Sequence, residues 1–494
     1  MAHLRKVATQ SSYYLFGRVF TMALGFVSFP LFTRLLDVNQ YGLIGLVATV
    51  VLSVGALSKL GMQHALQRFH RERSGSPDGS RRYYSTLFWG ASIGALFITA
   101  TYAGVLTLLP RFAISDVIRS LLLLASVLMV VRAVQSIVSN LLLVEGKAVV
   151  VNAIDFATKA LTIGVVYFFL LHWERSARAY LVGMTLAEIT LFAITFPYVL
   201  RRSLLSVSEF DILFWRETLM FAIPMVGAEL AAVVLDTGDR FLVQHFLGPT
   251  DLGYYAAAYG LAQYAWDLMV IPISMVFFPI CMETWVEKGK EETQQLLSKS
   301  LRYFLVPAVW LLCLVVLGSR DVIVILASKK FQPAYTLLPT LVAGMVAAAL
   351  PVFFRVGLMI QKKSVSVAII SGIAIVANVV LNVVLLPRIG LQGAAIATLA
   401  AYAMQALLMA QYSLRALPFA IPYRAIARYL LCAGLATIVG LQFRAANPWL
   451  ELPGRMAIAL IYPALLWASD EELRSALRNL FQRRRAATAA IYGN

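Results

Sequence analysis

The chain has 494 residues, of which 60% are hydrophobic and 14% charged, and its 42 Lys and Arg against 25 Asp and Glu give a net charge of +17. Soluble domains carry roughly 25% charged residues, and no hydrophilic stretch here is long enough to fold as a domain, so a soluble enzyme with membrane anchors, a disordered chain and a disulfide-built fold are excluded. The basic residues never gather on one soluble element, which argues against nucleic acid and for loops held against anionic lipid headgroups.

Apolar blocks of roughly 18–25 residues, the length of a helix across a bilayer, follow one another along the chain. They predict an all-α integral membrane protein of about fourteen transmembrane helices. Twelve lie near 12–33, 41–61, 84–108, 117–143, 149–171, 177–200, 218–243, 252–280, 302–326, 335–360, 365–386 and 392–414, and two more near 425–443 and 453–469. Arg5 and Lys6 precede a first block too long for a signal-peptide core and without a clear small-residue cleavage site, so it reads as a retained span. The last block is short and holds Pro463. Cys281, Cys313 and Cys432 form no CxxC and read as small buried apolar residues.

Loop charges orient the chain. Arg5 and Lys6, the arginines between 68 and 82, Arg201, Arg202, Arg216, Lys288, Lys290, Lys299, Lys362, Lys363, Arg415, Arg424 and the arginines from 474 to 485 fall on one side. That side has roughly three times the basic residues of the other, so it is expected to be cytoplasmic. Both termini then face the cytoplasm, which needs an even number of spans. The larger polar segments, 62–83 with the turn Ser74-Gly75-Ser76-Pro77-Asp78-Gly79 and 283–300, lie on this side. Leu473, Leu477, Leu480 and Phe481 at helical spacing among arginines predict an amphipathic helix over 470–486 on the inner membrane face.

Two halves echo each other. Thr33-Arg34-Leu35-Leu36-Asp37 and Tyr41-Gly42 follow the first span; Gln244-His245-Phe246-Leu247-Gly248 and Leu252-Gly253-Tyr254 follow the seventh. The interval from Leu36 to Gly42 equals that from Leu247 to Gly253. Glu145-Gly146-Lys147 matches Gln361-Lys362-Lys363. Six spans per repeat make the repeats parallel, with two six-helix lobes around a central cavity. The expected domains are an N-terminal lobe over 1–210, a C-terminal lobe over 211–415, two additional spans over 416–469 and a basic cytoplasmic tail over 470–494.

Charges at bilayer depth cost several kcal/mol unless they face a cavity or a partner. The cations Arg18, Arg132, Lys159 and Arg355 all fall near the midplane or in the cytoplasmic half, where a cavity would present them to an anionic headgroup. Local pairing is the competing reading: Asp155 and Lys159 are one turn apart, and Arg18 and Arg355 can snorkel. Glu229, Asp236 and Arg240 share one face of the seventh span, where Asp236 and Arg240 can pair and Glu229 is left for a proton, a sodium ion or a cation on another helix. Glu188, Glu229, Asp236, Asp239, Arg240 and Asp267 are the candidates for ion coupling or gating. Tyr254, Tyr255, Tyr259 and Tyr264 line a sugar path or simply pack. No Walker A motif and no metal-ligand spacing among the histidines is present, so no resident cofactor or metal is expected, only Na⁺ or H⁺ as a coupling ion.

Three segments resemble the polysaccharide flippases, Wzx type, of the multidrug/oligosaccharidyl-lipid/polysaccharide exporter superfamily. They are Phe32-Thr33-Arg34-Leu35-Leu36 with Tyr41-Gly42; Pro224 with Asp239-Arg240-Phe241-Leu242 and Leu252-Gly253-Tyr254-Tyr255; and Asn382-Val383-Val384-Leu385-Leu386-Pro387 running into Gly390-Leu391-Gln392-Gly393-Ala394-Ala395-Ile396-Ala397-Thr398. The resemblance covers the first twelve spans. It implies a V-shaped bundle of two lobes that moves an undecaprenyl-pyrophosphate-linked oligosaccharide from the inner to the outer leaflet of the bacterial cytoplasmic membrane by alternating access, for surface polysaccharide such as O-antigen. It also places Arg18, in Gly17-Arg18-Val19-Phe20, where related lipid II flippases carry a headgroup-binding Arg; Thr21 departs from the Gly of those proteins. The implied partners are the lipid-linked glycan and membrane lipids, with a polysaccharide polymerase or other assembly proteins as further candidates. A multidrug exporter of the same superfamily would show an acidic cavity instead. A membrane polymerase or glycosyltransferase would need a sizeable outer loop with catalytic residues, and the first outer loop holds only Asp37. A scaffold would not need so many intramembrane charges.

Overall fold

The computed structural model describes residues 2–73, 77–110, 114–202, 205–444, 448–475 and 478. These form helices α1 (Ala2–Leu35), α2 (Val38–Ser58), α3 (Met62–Arg73), α4 (Pro77–Leu108), α5 (Asp116–Val144), α6 (Ala148–His172), α7 (Ala177–Arg202), α8 (Ile212–Thr237), α9 (Asp239–Leu247) and α10 (Pro249–Ala327). After them come α11 (Leu338–Ala349), α12 (Pro351–Ile360), α13 (Ser364–Ile389), α14 (Leu391–Ala416), α15 (Tyr423–Gln442), α16 (Pro448–Ala459) and α17 (Ile461–Ser469). Short 3₁₀ turns cover Val207–Glu209 and Lys329–Thr336, and the described residues include no strand.

Twelve described helical segments are long and apolar enough to cross a membrane, and Phe20–Leu35 is a shorter apolar helix. The chain is a multi-pass membrane protein. One of the twelve is α10, whose 79 residues contain two of the predicted spans. That is too many residues for one crossing, and the segment comprises two helices rather than one continuous rod. Its helix breaks at Gly289, where φ is 81°.

The polar segments behave differently from the loops expected of them. Residues 62–73 form α3, which is polar outside but buries Met62, Leu66 and Phe69 against α4, α5 and α8. Pro77, Asp78 and Gly79 begin α4 rather than completing a turn, while Ser74, Gly75 and Ser76 lie outside the described residues. The segment 283–300 continues α10 on both sides of Gly289. A helix needs only one apolar stripe to be held, and these segments have it. Beyond residue 475, all but one residue of the predicted tail helix lies outside the described residues.

Three predicted spans are broken. The seventh divides at Gly238 into α8 and α9, where the Phe241 N–H bonds Gly238 O one residue short of the α register. The tenth divides at Pro351, whose missing N–H cannot reach the Ala347 carbonyl; the Leu350 N–H takes that acceptor at 3.2 Å. The last divides at Leu460, and there Pro463 leaves the Ala459 carbonyl without its helical donor. The Trp310 indole supplies one, at 3.1 Å.

The chain forms two compact units. Unit 1 comprises residues up to Gly260 with Ile325–Ala334 and Gly372–Ala397; unit 2 comprises Leu261–Val324, Tyr335–Ser371 and Thr398 onward. In unit 1, α2, α5 and α7 share a core around Val47, Leu128 and Leu181, and α1 joins α6 and α7 around Leu36, Val166 and Ala179. Unit 2 is organised around Phe277, Phe304 and Phe353, whose rings meet at 5.0–5.1 Å.

Both echoes in the sequence have a structural counterpart. Gly42 and Gly253 face each other within unit 1: a Cβ on Gly42 would lie 2.7 Å from Gly253 N, and one on Gly253 would lie 2.0 Å from Val38 O. Only glycine permits this approach of α2 to α10. The turns at Glu145-Gly146-Lys147 and Gln361-Lys362-Lys363 have one geometry. The middle residue is left-handed in each (Gly146 φ 78°, Lys362 φ 58°). The Lys147 N–H bonds Leu142 O at 2.9 Å, as the Lys363 N–H bonds Leu358 O at 2.9 Å. This is the six-to-one closure of a helix C-terminus.

Candidate functional site

Three polar clusters lie within the helices of unit 1. The first joins α5, α6 and α7. Arg132 stands near the middle of α5 and Glu188 near the middle of α7. Arg132 Nε donates to Glu188 Oε2 at 2.9 Å and Nη2 donates to Oε1 at 2.6 Å, a two-pronged pair. The Arg132 side chain remains 38% exposed against 11% for Glu188. The arginine is thus paired, but its side chain is not fully buried.

Lys159 on α6 is close enough to Arg132 and Glu188 to feel both charges. It is half-buried, with no hydrogen bond or ion pair among the described residues. Among the described residues no ion pair joins Asp155 to Lys159. Tyr180 on α7 also senses Arg132 and Glu188. On α1, Gly17 lies against α6, where a Cβ would come within 2.4 Å of Asn152 Cγ. Arg18 follows it in sequence, and its side chain lies outside the described residues.

The second cluster ties α2 and α3 to α8. Glu229 accepts from Lys59 Nζ at 2.9 Å and from the Gln63 amide. It is therefore engaged by a cation on another helix, one of the three fates expected of it. A tight turn places both donors: Leu60 and Gly61 have φ of 50° and 67°. A Cβ on Gly61 would lie 2.5 Å from Ala222 O of α8, so the turn sits directly on that helix. Lys59 and Gln63 escaped the sequence reading because both sit where an apolar span gives way to a polar segment, where charges are commonplace.

The third cluster corrects the reading of the seventh span. Asp236 and Arg240 do not pair. Asp236 Oδ1 accepts from Tyr259 OH at 2.7 Å, and the Arg240 guanidinium lies over the Tyr259 ring, 5.1 Å from its centroid. Arg240 Nη1 reaches Thr49 Oγ1 at 3.4 Å. Tyr259 engages both side chains, and Thr49 takes a further nitrogen of Arg240, in place of the i,i+4 pair. Asp239 accepts from Tyr255 OH. Tyr255 and Tyr259 are fully buried, so they hold carboxylates in place and do not line a path. The clustered carboxylates were legible in the sequence; their tyrosine donors could be found only as an i,i+4 pair of hydroxyls.

Two predicted site residues belong to unit 2. Asp267 accepts from Gln263 Nε2 at 3.1 Å on the same helix. Arg355 on α12 is half-buried and has no hydrogen bond or ion pair among the described residues.

Chemically, the first cluster offers one unpaired ammonium beside a guanidinium whose carboxylate partner can be exchanged for another anion. Planar guanidinium and compact ammonium together suit a phosphate group.

Residues 7–285 match the family described as polysaccharide biosynthesis protein. No curated protein sequence matches the chain. Among solved structures, the lipid II flippase MurJ in an inward closed conformation superposes with a TM-score of 0.74 at 14% identity, over 92% of this chain and 98% of that one. An inward-facing multidrug resistance MATE family transporter of the MOP superfamily gives 0.61 at 13% identity, over 79% and 93%. A MOP superfamily transporter from Pyrococcus furiosus, described as having a binding pocket of reverse polarity, gives 0.54 at 12% identity. The fold is that of these transporters and flippases.

Proposed function

The chain belongs to the polysaccharide biosynthesis protein family, and from that premise we propose that it flips an undecaprenyl-pyrophosphate-linked oligosaccharide from the inner to the outer leaflet of the bacterial cytoplasmic membrane. It is a multi-pass protein whose solved relatives are flippases and transporters, not enzymes. The reading further holds that both termini are cytoplasmic and that an ion gradient or the membrane potential drives alternating access.

The observation that carries it is the Arg132–Glu188 pair with Lys159 beside it. Lys159 takes the first phosphate. The pyrophosphate then competes with Glu188 for Arg132. Exchanging one anion for another avoids the several-kcal/mol cost of stranding a charge inside the protein. The displaced Glu188 carboxylate takes up a proton, which links substrate binding to an ion. Glu229 with Lys59 and Gln63 acts as a latch, and Asp236, Asp239 and Arg240 form a second polar centre that can respond to Na⁺ or H⁺. Arg18 in unit 1 and Arg355 in unit 2 are further candidate headgroup cations, each within its own unit. Polymerase or other assembly proteins receive the flipped product.

A multidrug exporter is favoured by the buried Asp239 with the half-buried Asp236 and by the fold shared with a multidrug resistance MATE family transporter. The two readings separate in a deletion strain probed with a membrane-impermeant glycan-modifying reagent. Lipid-linked glycan that accumulates out of reach, and becomes accessible when the gene is restored, supports the flippase. Glycan fully accessible without the protein overturns it.

A further inference from the structure

We propose that unit 2 carries a second anion site, separate from the cations assigned above, that binds the phosphate of an anionic headgroup at the start of α15. A cavity of about 480 Å³ is lined there by Arg302, Arg424, Arg428 and Glu472, with Pro422 and Tyr423 at its edge. Ligand pockets span roughly 300–1,000 Å³, so this one has room for a headgroup and not merely a bare ion.

The three arginines are not equivalent. Arg302 is saturated: Nη2 donates to Asp470 at 2.6 Å, Nε to Tyr429 OH at 3.2 Å, and Nη1 pairs with Glu472. Arg428 spends one nitrogen on Ser469 O at 2.8 Å and lies 3.8 Å from Asp470, with 40% of its side chain exposed. Arg424 is exposed, with no hydrogen bond or ion pair among the described residues. Asp470 and Glu472 are therefore committed mainly to Arg302, and the Arg424 side of the cavity keeps its positive charge.

That charge is placed against its own helix. Arg424 and Arg428 are like charges at i,i+4, which repel. Both sit in the first two turns of α15, where the helix dipole disfavours cations. Neither placement helps α15 form. A bound phosphate removes both penalties, and guanidinium is the side chain best matched to it.

The surroundings say where such a phosphate comes from. Leu430, Leu431, Leu435 and Ile438 of α15 are 55–69% exposed, as on a helix that faces hydrocarbon. Tyr423, 70% exposed, marks the boundary expected of an interfacial aromatic. A phospholipid can place its headgroup in the cavity and its tails along this face; a soluble phosphate ester would use the cavity alone.

The test is native mass spectrometry on the purified full chain in detergent, titrated with phosphatidylglycerol and with phosphatidylcholine of the same tails. The Arg424→Gln/Arg428→Gln double variant should bind phosphatidylglycerol about tenfold more weakly, the value of one charge-assisted bond, with phosphatidylcholine unaffected. Arg415→Gln, at the exposed end of α14 and outside the cavity, should bind as the parent does. Should the double variant prove destabilised, Arg424→Gln alone, an exposed residue without partners, must still weaken binding. Unchanged binding in these variants, or an equal loss in Arg415→Gln, overturns the proposal. Glycerol phosphate that displaces the lipid identifies the phosphate alone as ligand; failure to displace identifies the lipid.

Discussion

Unit 1 and unit 2 treat charge in opposite ways. Unit 1 places Arg132, Glu188 and Glu229 well inside its helices and joins them to partners distant in sequence. Unit 2 has an aromatic and aliphatic centre, and its ion pairs fasten helix ends: Arg302 holds Asp470 just beyond α17, and Arg455 holds Glu451 one turn away on α16 and Asp321 near the end of α10. End pairs hold structure. Pairs inside a span cost solvation wherever they form, so they suggest a site whose partners exchange. Arg355, without a hydrogen bond or ion pair among the described residues, is the exception that resembles unit 1.

The largest stability effect is expected at Arg132 and Glu188. Stranding one member of a fully buried pair costs about 3–5 kcal/mol. With 38% of the Arg132 side chain exposed, solvent screening should reduce the loss for Glu188→Ala to about 2 kcal/mol. The swapped chain, Arg132→Glu with Glu188→Arg, should recover most of the melting temperature but not transport, because the cation has left α5. If Glu188→Ala melts like the parent, the contrast between the units fails.

Asp470 provides the matching experiment in unit 2. Burial pushes its pKa up, but the Leu473 N–H, Arg302 and Tyr429 together outweigh that and hold it below the ordinary carboxylate value. A carboxyl whose pKa is lowered on folding stabilises the fold above its unfolded pKa, and that contribution is lost as pH falls through the folded value. Asp470→Asn should cost about 1 kcal/mol near neutral pH. It should also flatten the acid limb of the stability curve, read by melting in detergent from pH 7 downward. A pure end-fastener predicts normal glycan export wherever the variant is folded.

The sequence reading succeeded and failed along the same division. Apolar blocks announce spans because hydrocarbon accepts nothing else, so the helical membrane fold was legible throughout. Each charge inside a block stood out because it is costly there. Partners were not legible. Arg132 and Glu188 are 56 residues apart in the chain, and no periodicity links two helices. The pairing that periodicity did suggest, Asp236 with Arg240, is replaced by contacts of both side chains with Tyr259, which lies on another helix. Polar α3 resembles a loop in sequence because its buried stripe is short: Met62, Ala65, Leu66 and Phe69. The breaks at Pro351 and Pro463 have visible causes in the sequence, but proline is tolerated in membrane helices often enough that it does not by itself mark a break.

The smallest stability effect should come from Lys159. Nothing among the described residues pairs with its ammonium, so Lys159→Gln removes no bond and should shift stability by less than about 0.5 kcal/mol. If unit 1 is arranged for exchange, this lysine is the first cation the phosphate meets, and losing it should reduce glycan export by about tenfold, one charge-assisted contact. Lys159→Arg should retain most of the export, because charge is what the contact needs. A structural lysine would show the reverse: measurable destabilisation with export falling only in proportion to folded protein. A Lys159→Gln chain that is both stable and fully active would leave the Arg132–Glu188 pair as a fastener like those of unit 2, buried deeper.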